Sequence, residues 1–142
     1  MKEKNLIVIA DDDLDDQYII QQAINETGIP HQVMLLKNGL ELLDLLQGRG
    51  SYADQTIKPD LVIMDLNMPL MDGYGVLKNM KSNNDLKEIP VYVLSTSKFD
   101  YDRQKSLDYG ANDFFSKPYQ FDDLKVIIRE ICTKTLEYAG SK

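Results

Sequence analysis

The stretch Leu61–Gly73 reads LVIMDLNMPLMDG and combines a strand, a charged strand end and the approach to a helix. Residues Leu61–Met64 are continuously apolar, as expected for a parallel strand that is covered on both faces. Asp65 follows directly, at the carboxyl end of that strand. Helical spacing starts near Asp72 and is carried by Val76, Leu77 and Met80. Strand, acidic end and helix together predict one unit of an α/β sheet.

The same unit recurs on both sides of this stretch. The runs of strand length are Leu6–Ala10, Gln32–Leu36, Leu61–Met64, Val91–Leu94 and Asp113–Phe115. Segments with helical spacing lie between them and after the last. Right-handed crossovers then predict a parallel five-stranded sheet with helices on both faces.

Small and polar residues predict where the helices end. Gly28 should stop the first helix, whose apolar stripe is Ile20, Ala23, Ile24 and Thr27. Asn38 should cap the second helix, which should end at Gly48. The helix between Asp100 and Tyr109 has few large apolar anchors, so we expect it to be weakly held. The connection Gly48–Lys58 is long and polar, and we expect it to be exposed.

The length of 142 residues fits one domain over 1–142, with a core of about 5–138 and no output domain. The net charge of −7 makes nucleic-acid binding unfavourable. Since no apolar run approaches the ~20 residues of a membrane span and no signal peptide is evident, we expect a cytoplasmic protein. One cysteine, Cys132 on the last apolar stripe, and one histidine exclude a cysteine cage and a histidine-rich metal site.

Polar residues stand at the carboxyl ends of four predicted strands. They are Asp11-Asp12-Asp13, Asp65, Ser95-Thr96-Ser97 and Lys117-Pro118. In a doubly wound sheet, ligands bind at this edge. Singly, each motif has a plainer explanation: Asp13, Asp15 and Ser97 suit helix caps, and Lys-Pro suits a turn. Their occurrence in this order in one array favours a common site.

Converging carboxylates repel one another unless a cation neutralises them. Oxygen ligands suit Mg²⁺, and Asp11, Asp12, Asp65 and a backbone carbonyl just beyond Asp65 would supply them. Such a site suits phosphoryl transfer to a carboxylate, which needs no base to become a nucleophile. The metal ion, the Lys117 ammonium and the Ser95 hydroxyl with nearby N–H groups would each hold one phosphoryl oxygen.

These motifs resemble the receiver domain of response regulators over about Asn5 to Tyr138. The similarity rests on Asp11-Asp12-Asp13, on the MDLNMPLMDG segment, on the Pro90–Ser95 run and on Gly110–Pro118. The resemblance implies a flavodoxin-like (βα)5 fold with strand order 2-1-3-4-5. The long Gly48–Lys58 loop and the VLSTS segment are similar to single-domain, chemotaxis-regulator-like proteins, among them the small regulators paired with phytochromes.

The resemblance also implies roles for individual residues. Asp65 would be the phospho-acceptor, Asp11 and Asp12 the acidic pair that holds Mg²⁺ (or Mn²⁺ in its place), and the Asn67 carbonyl a further ligand. Lys117 would bind the phosphoryl group, and in many relatives a cis peptide joins it to proline. The switch residues would be Ser95 and Phe114, the latter without the phenol hydroxyl of the usual tyrosine. Residues expected to tune the rate are Asn67, Thr96 and Ser97.

By the same resemblance, the partners would be a sensor histidine kinase, a hybrid kinase or a phosphotransfer protein, and a downstream protein target. The face of the fourth and fifth helices with strand five would be the usual homodimer surface. Three alternatives remain. A phosphatase with an Asp nucleophile would need an acid where Asn67 stands, and a flavin carrier would need a phosphate loop in place of three carboxylates. A receiver-like docking module would work without phosphorylation.

Overall fold

The chain alternates strictly between strands and helices in a computed structural model that describes residues 4–55 and 57–136. The strands are β1 Asn5–Ala10, β2 His31–Leu36, β3 Leu61–Met64, β4 Val91–Ser95 and β5 Asp113–Ser116. The helices are α1 Leu14–Asn25, α2 Gly39–Gln47, α3 Gly73–Lys81, α4 Asp100–Asp108 and α5 Phe121–Thr135, with a short 3₁₀ turn at Gly50–Tyr52. All five predicted strands are present. The end of the core expected near Tyr138 lies outside the described residues.

The five strands form one parallel sheet in the order β2-β1-β3-β4-β5, which confirms the predicted flavodoxin-like fold. The register sets which strand ends meet. Ala10 of β1 is paired with Met64 of β3. The residues that follow them, Asp11 and Asp65, therefore lie next to each other at the carboxyl edge of the sheet. On the other side, Ser95 of β4 is paired with Ser116 of β5.

Alternate side chains of the central strands enter two separate cores. Ile7 and Ile9 of β1 pack with α1 and α5, while Val8 and Ala10 pack with α2 and α3. Cys132 belongs to the α1–α5 core and is buried, as expected. Since helices cover both faces, the continuous apolar runs of β3 and β4 are explained. No helix in the described part of the chain is long and apolar enough to cross a membrane.

The helix ends agree with the capping signals at α2 and differ at α1. The Asn38 side chain accepts from the N–H of Glu41, and Gly48 adopts the left-handed conformation. In α1 the helix ends at Asn25, and Gly28 lies beyond it with φ +73°. The helix ends earlier than predicted because the Thr27 hydroxyl and N–H both donate hydrogen bonds to the Ile24 carbonyl.

The connection Gly48–Lys58 is largely exposed in its described residues, with two apolar side chains turned toward the protein. It contains the 3₁₀ turn, and the side chains of Tyr52 and Ile57 pack against the α2–α3 core. The expectation of an exposed connection is met by most of its described residues, and Tyr52 and Ile57 are half-buried. These two residues anchor the connection to the core.

Helix α4 has little apolar contact with the rest of the molecule. Of its residues, all described, Ser106 alone is buried, and Phe99 before it supplies no side-chain cap. The large side chains of Phe99, just before the helix, and Tyr101, within it, are 73% and 70% exposed. This agrees with the expectation of a weakly held helix.

Candidate functional site

The carboxylate of Asp65 lies at the centre of the carboxyl edge of the sheet, where burial and backbone contacts orient it. Its Oδ1 accepts the Leu66 N–H at 2.7 Å and lies 3.5 Å from the Asn67 N. The start of α3 approaches closely, since a Cβ at Gly73 would lie 2.9 Å from the Asp65 carbonyl oxygen. Only glycine fits there without displacing the backbone. The second oxygen, Oδ2, faces the site.

Asp11, Asp12 and Asp65 can each direct one oxygen to a common point, with all these atoms within 4.8 Å of one another. Asp11 and Asp65 are buried, whereas Asp12 is exposed. Burial raises the pKa of Asp11 above its ordinary value, although hydrogen bonds from Lys117 and the Asp13 N–H act in the opposite direction. This all-oxygen cluster fits a hard divalent cation such as Mg²⁺ or Mn²⁺, whose charge would relieve the repulsion. Asn67 lies exposed beside it.

The Lys117 ammonium is surrounded by three carboxylates. Its Nζ lies 2.8 Å from Asp11 Oδ2, 2.7 Å from Asp16 Oδ2 and 3.3 Å from Asp65 Oδ2. Burial acts to lower the pKa of Lys117, but the hydrogen bonds to Asp11 and Asp16 and the charge of Asp65 outweigh it, so the pKa is raised. Lys117 therefore carries its charge at every physiological pH.

Ser95 and Phe114, the two predicted switch residues, are both buried on neighbouring strands. The Ser95 hydroxyl oxygen accepts a hydrogen bond from the Ser97 N–H at 3.2 Å. The backbone carbonyl of Ser95 accepts one from the Lys117 N–H at 2.7 Å. Thr96 is exposed at the mouth of the site. The strand ends thus bring Ser95 and Lys117 together through the backbone.

Ser97 connects this edge to α4 and α3 through Asp102. The Ser97 hydroxyl donates to Asp102 Oδ2 at 2.6 Å, and the Tyr74 hydroxyl donates to Asp102 Oδ1 at 2.6 Å. These two bonds, in that order, hold the pKa of Asp102 below its ordinary value. On β5, the Phe114 carbonyl accepts a hydrogen bond from Arg103 of α4 at 2.9 Å.

Sequence reasoning missed three polar residues of this region. Asp16 contacts Lys117, Asp102 joins α4 to Ser97, and the buried Gln17 donates to the carbonyls of Asp11 and Leu36. A signal was present for Asp16, which stands one helical turn before Ile20 and so continues the inward stripe of α1. No local signal marked Asp102.

The peptide bond between Lys117 and Pro118 is not cis, although it is cis in many proteins that the chain resembles. Within residues 4–55 and 57–136 every peptide bond is trans, including the one between Lys117 and Pro118.

Residues 7–129 match the family model of the response regulator receiver domain. The chain belongs to this family, whose members are phospho-acceptor domains of two-component systems.

Response regulator Rcp1 of Synechocystis sp. is 33% identical over 132 residues, which cover 93% of this chain and 89% of that protein. The crystal structure of the Mn²⁺-bound form of Rcp1 matches with a TM-score of 0.84 at 31% identity, covering 96% of this chain and 99% of that one. The phosphorylated cyanobacterial phytochrome response regulator RcpA matches with a TM-score of 0.83 at 36% identity, covering 90% and 91%. The predicted similarity to phytochrome-associated regulators is confirmed.

Proposed function

We propose that this chain is a response regulator receiver that accepts a phosphoryl group from a phosphohistidine on the carboxylate of Asp65. The observation that carries the proposal is the position of Asp65 Oδ2, 3.3 Å from the Lys117 ammonium and within reach of Asp11 and Asp12. A nucleophile, a cation for the phosphoryl oxygens and a carboxylate set for a divalent metal ion are thus combined in one site.

In the proposed reaction an Asp65 oxygen forms a bond to phosphorus while the phosphorus–nitrogen bond of the donor breaks, and the histidine keeps the electron pair. Lys117 donates to one phosphoryl oxygen, and the Ser95 hydroxyl with neighbouring N–H groups donates to another. Asp11, Asp12, Asp65 and the Asn67 carbonyl would hold Mg²⁺, or Mn²⁺ in its place, which supplies positive charge for the phosphoryl oxygens when bound. A carboxylate is a nucleophile without the help of a general base.

Switching would start at Ser95. A Ser95 hydroxyl that turns to the phosphoryl group gives up the Ser97 N–H, and Ser97 is bonded to Asp102 of α4. Repacking of Phe114 would act on the same helix through Arg103. Since α4 has little buried apolar surface, loss of these bonds would change its position and present a different surface to a partner.

Asn67, Thr96 and Ser97 are proposed to tune the hydrolysis that resets the switch. Asn67 and Thr96 are exposed beside the site, where they can control the access of water to the aspartyl phosphate. An amide at Asn67 cannot serve as the acid of an Asp-nucleophile phosphatase, which favours a switch over an enzyme.

The proposed partners are a sensor histidine kinase, a hybrid kinase or a phosphotransfer protein, together with a downstream protein target. The similarity to RcpA, a phytochrome response regulator, supports a phytochrome-type kinase. A homodimer through α4, β5 and α5 and a cytoplasmic location remain predictions.

The test is the intact mass of the purified protein after incubation with phosphoramidate, with and without Mg²⁺. We expect a metal-dependent gain of one phosphoryl group that is absent in Asp65→Asn. Asp85→Asn is the matched control, since it removes the same charge at an exposed position away from the site. No gain from phosphoramidate or from a kinase would favour the docking module, and equal labelling of Asp65→Asn would place the acceptor elsewhere.

A further inference from the structure

The Lys117 ammonium has three N–H donors, and three carboxylates lie within reach of them. Two belong to the proposed metal and acceptor set, Asp11 at 2.8 Å and Asp65 at 3.3 Å. The third is Asp16, whose Oδ2 makes the shortest contact at 2.7 Å. A phosphoryl oxygen can therefore bind Lys117 only if the ammonium redistributes its hydrogen bonds.

Asp16 has no part in the acceptor chemistry described above. Among the described residues, the carboxylates that can converge on a metal ion are Asp11, Asp12 and Asp65, and Asp16 lies outside that set. Its side chain is 31% exposed, against 1% for Asp11 and 8% for Asp65. Of the three carboxylates, Asp16 is therefore the one that can give up Lys117 most easily, because water can replace the lost hydrogen bond.

The start of α1 fixes Asp16 in this position. The Asp13 side chain caps the helix by accepting the N–H groups of Asp15 and Asp16. Ile20, one turn after Asp16, is buried in the α1–α5 core, so the same face of α1 points to the sheet. Asp15, the adjacent acidic residue, is exposed.

The charge of Asp16 opposes the function of Lys117. A carboxylate in direct contact with the ammonium reduces the positive potential available to a phosphoryl group, and it also repels an anionic donor. We propose that Asp16 acts on the reaction through Lys117: it competes with the phosphoryl group for the ammonium and thereby slows phosphoryl uptake on Asp65. This inference rests on the proposed function.

Asp16→Asn removes the charge but keeps the size of the side chain. We expect it to take up phosphoryl groups from phosphoramidate roughly three- to tenfold faster than the unchanged protein, at saturating Mg²⁺. Asp16→Glu restores a carboxylate and should return the rate toward the original value. Asp15→Asn, which removes the same charge from the same helix turn away from Lys117, should leave the rate within about twofold.

The measurement is the mass-resolved time course of phosphorylation over a range of phosphoramidate concentrations, with thermal melting of each variant to verify folding. A faster Asp16→Asn with an unchanged Asp15→Asn supports the inference. Equal acceleration in both variants would show a general charge effect and would overturn it. Slower labelling of Asp16→Asn would show that Asp16 holds Lys117 in its working position, which also overturns it.

The two proposals fail in different ways. If the unchanged protein gains no phosphoryl group, the proposed function fails, and the inference about Asp16 fails with it. If the unchanged protein is labelled and Asp16→Asn behaves like Asp15→Asn, only the role of Asp16 is lost.

Discussion

Helices α2 and α4 have the same length of nine residues but are attached to the sheet in different ways. Helix α2 buries Leu42, Leu43, Leu45 and Leu46 and is capped at both ends. Helix α4 buries only Ser106 among its residues, all of which the structure describes, and is held by the polar contacts of Asp102 and Arg103. Apolar burial is non-directional and tolerates small movements, whereas hydrogen bonds break when their partners turn. The comparison separates a helix that stabilises the fold from one suited to move.

The largest expected effect is on α2. Leu42 is fully buried, so Leu42→Ala should lower the free energy of unfolding by about 3 kcal/mol through lost burial and a residual cavity. Urea unfolding measures this value. Leu40→Ala on the same helix is the control: Leu40 is 41% exposed and should cost less than about 1 kcal/mol. Equal losses in the two variants would contradict the statement that buried leucine side chains hold α2 to the fold.

The second effect concerns the polar attachment of α4. The two carboxylate oxygens of Asp102 accept from Tyr74 and Ser97. In Asp102→Asn one acceptor remains and an NH2 donor takes the place of the other, which should cost about 1–2 kcal/mol. Hydrogen exchange should show faster opening of α4 with little change in α2. Asp100→Asn in the same first turn should cost less than about 0.5 kcal/mol, since it loses only its interaction with the helix dipole.

The pH dependence checks the origin of that loss. The folded-state pKa of Asp102 is lowered by the hydrogen bonds from Ser97 and Tyr74. Its stabilisation is therefore fully present above the ordinary value of 3.8 and is lost as the pH falls through the folded value. Unchanged protein and Asp102→Asn should converge in stability in that acid range. A difference that is independent of pH would contradict the assignment.

The smallest expected effect is at Arg103. Its side chain is 51% exposed, and its guanidinium lies 3.5 Å from Asp113 Oδ1. Arg103→Met, which keeps the apolar stem, should cost only about 0.5 kcal/mol, and added salt should reduce the difference. Loss of more than about 2 kcal/mol would show that α4 depends on the contacts of Arg103 with Asp113 and the Phe114 carbonyl more than on Asp102.

The elements of the fold were predictable because their signals are local. Asn38 and Gly48 mark both ends of α2, and the apolar run of β3 is unbroken up to Asp65. The convergence of Asp11, Asp65 and Lys117 followed from the rule that parallel strands end at one edge.

The contacts of Asp16 and Asp102 were not predictable in the same way. Asp16 and Lys117 are 101 positions apart, and five of the residues 11–16 are aspartates, so local reasoning could not assign a partner to each. Asp102 stands in a polar segment where every charged residue looks like solvent-facing surface. The register and the helix rotation decide these contacts, and both are properties of the assembled sheet.

The surroundings of Lys105 on α4 make this residue a reporter of the position of the helix. Its ammonium lies 4.3 Å from the ring centre of Tyr74 on α3 and 5.6 Å from those of Tyr101 and Tyr109, which belong to α4 and its end. Aromatic ring currents shift the resonances of nearby methylene protons. A movement of α4 away from α3 would remove the Tyr74 contribution and keep the other two. Isotopically labelled Lys105 is thus a built-in magnetic-resonance probe of helix position that needs no added tag.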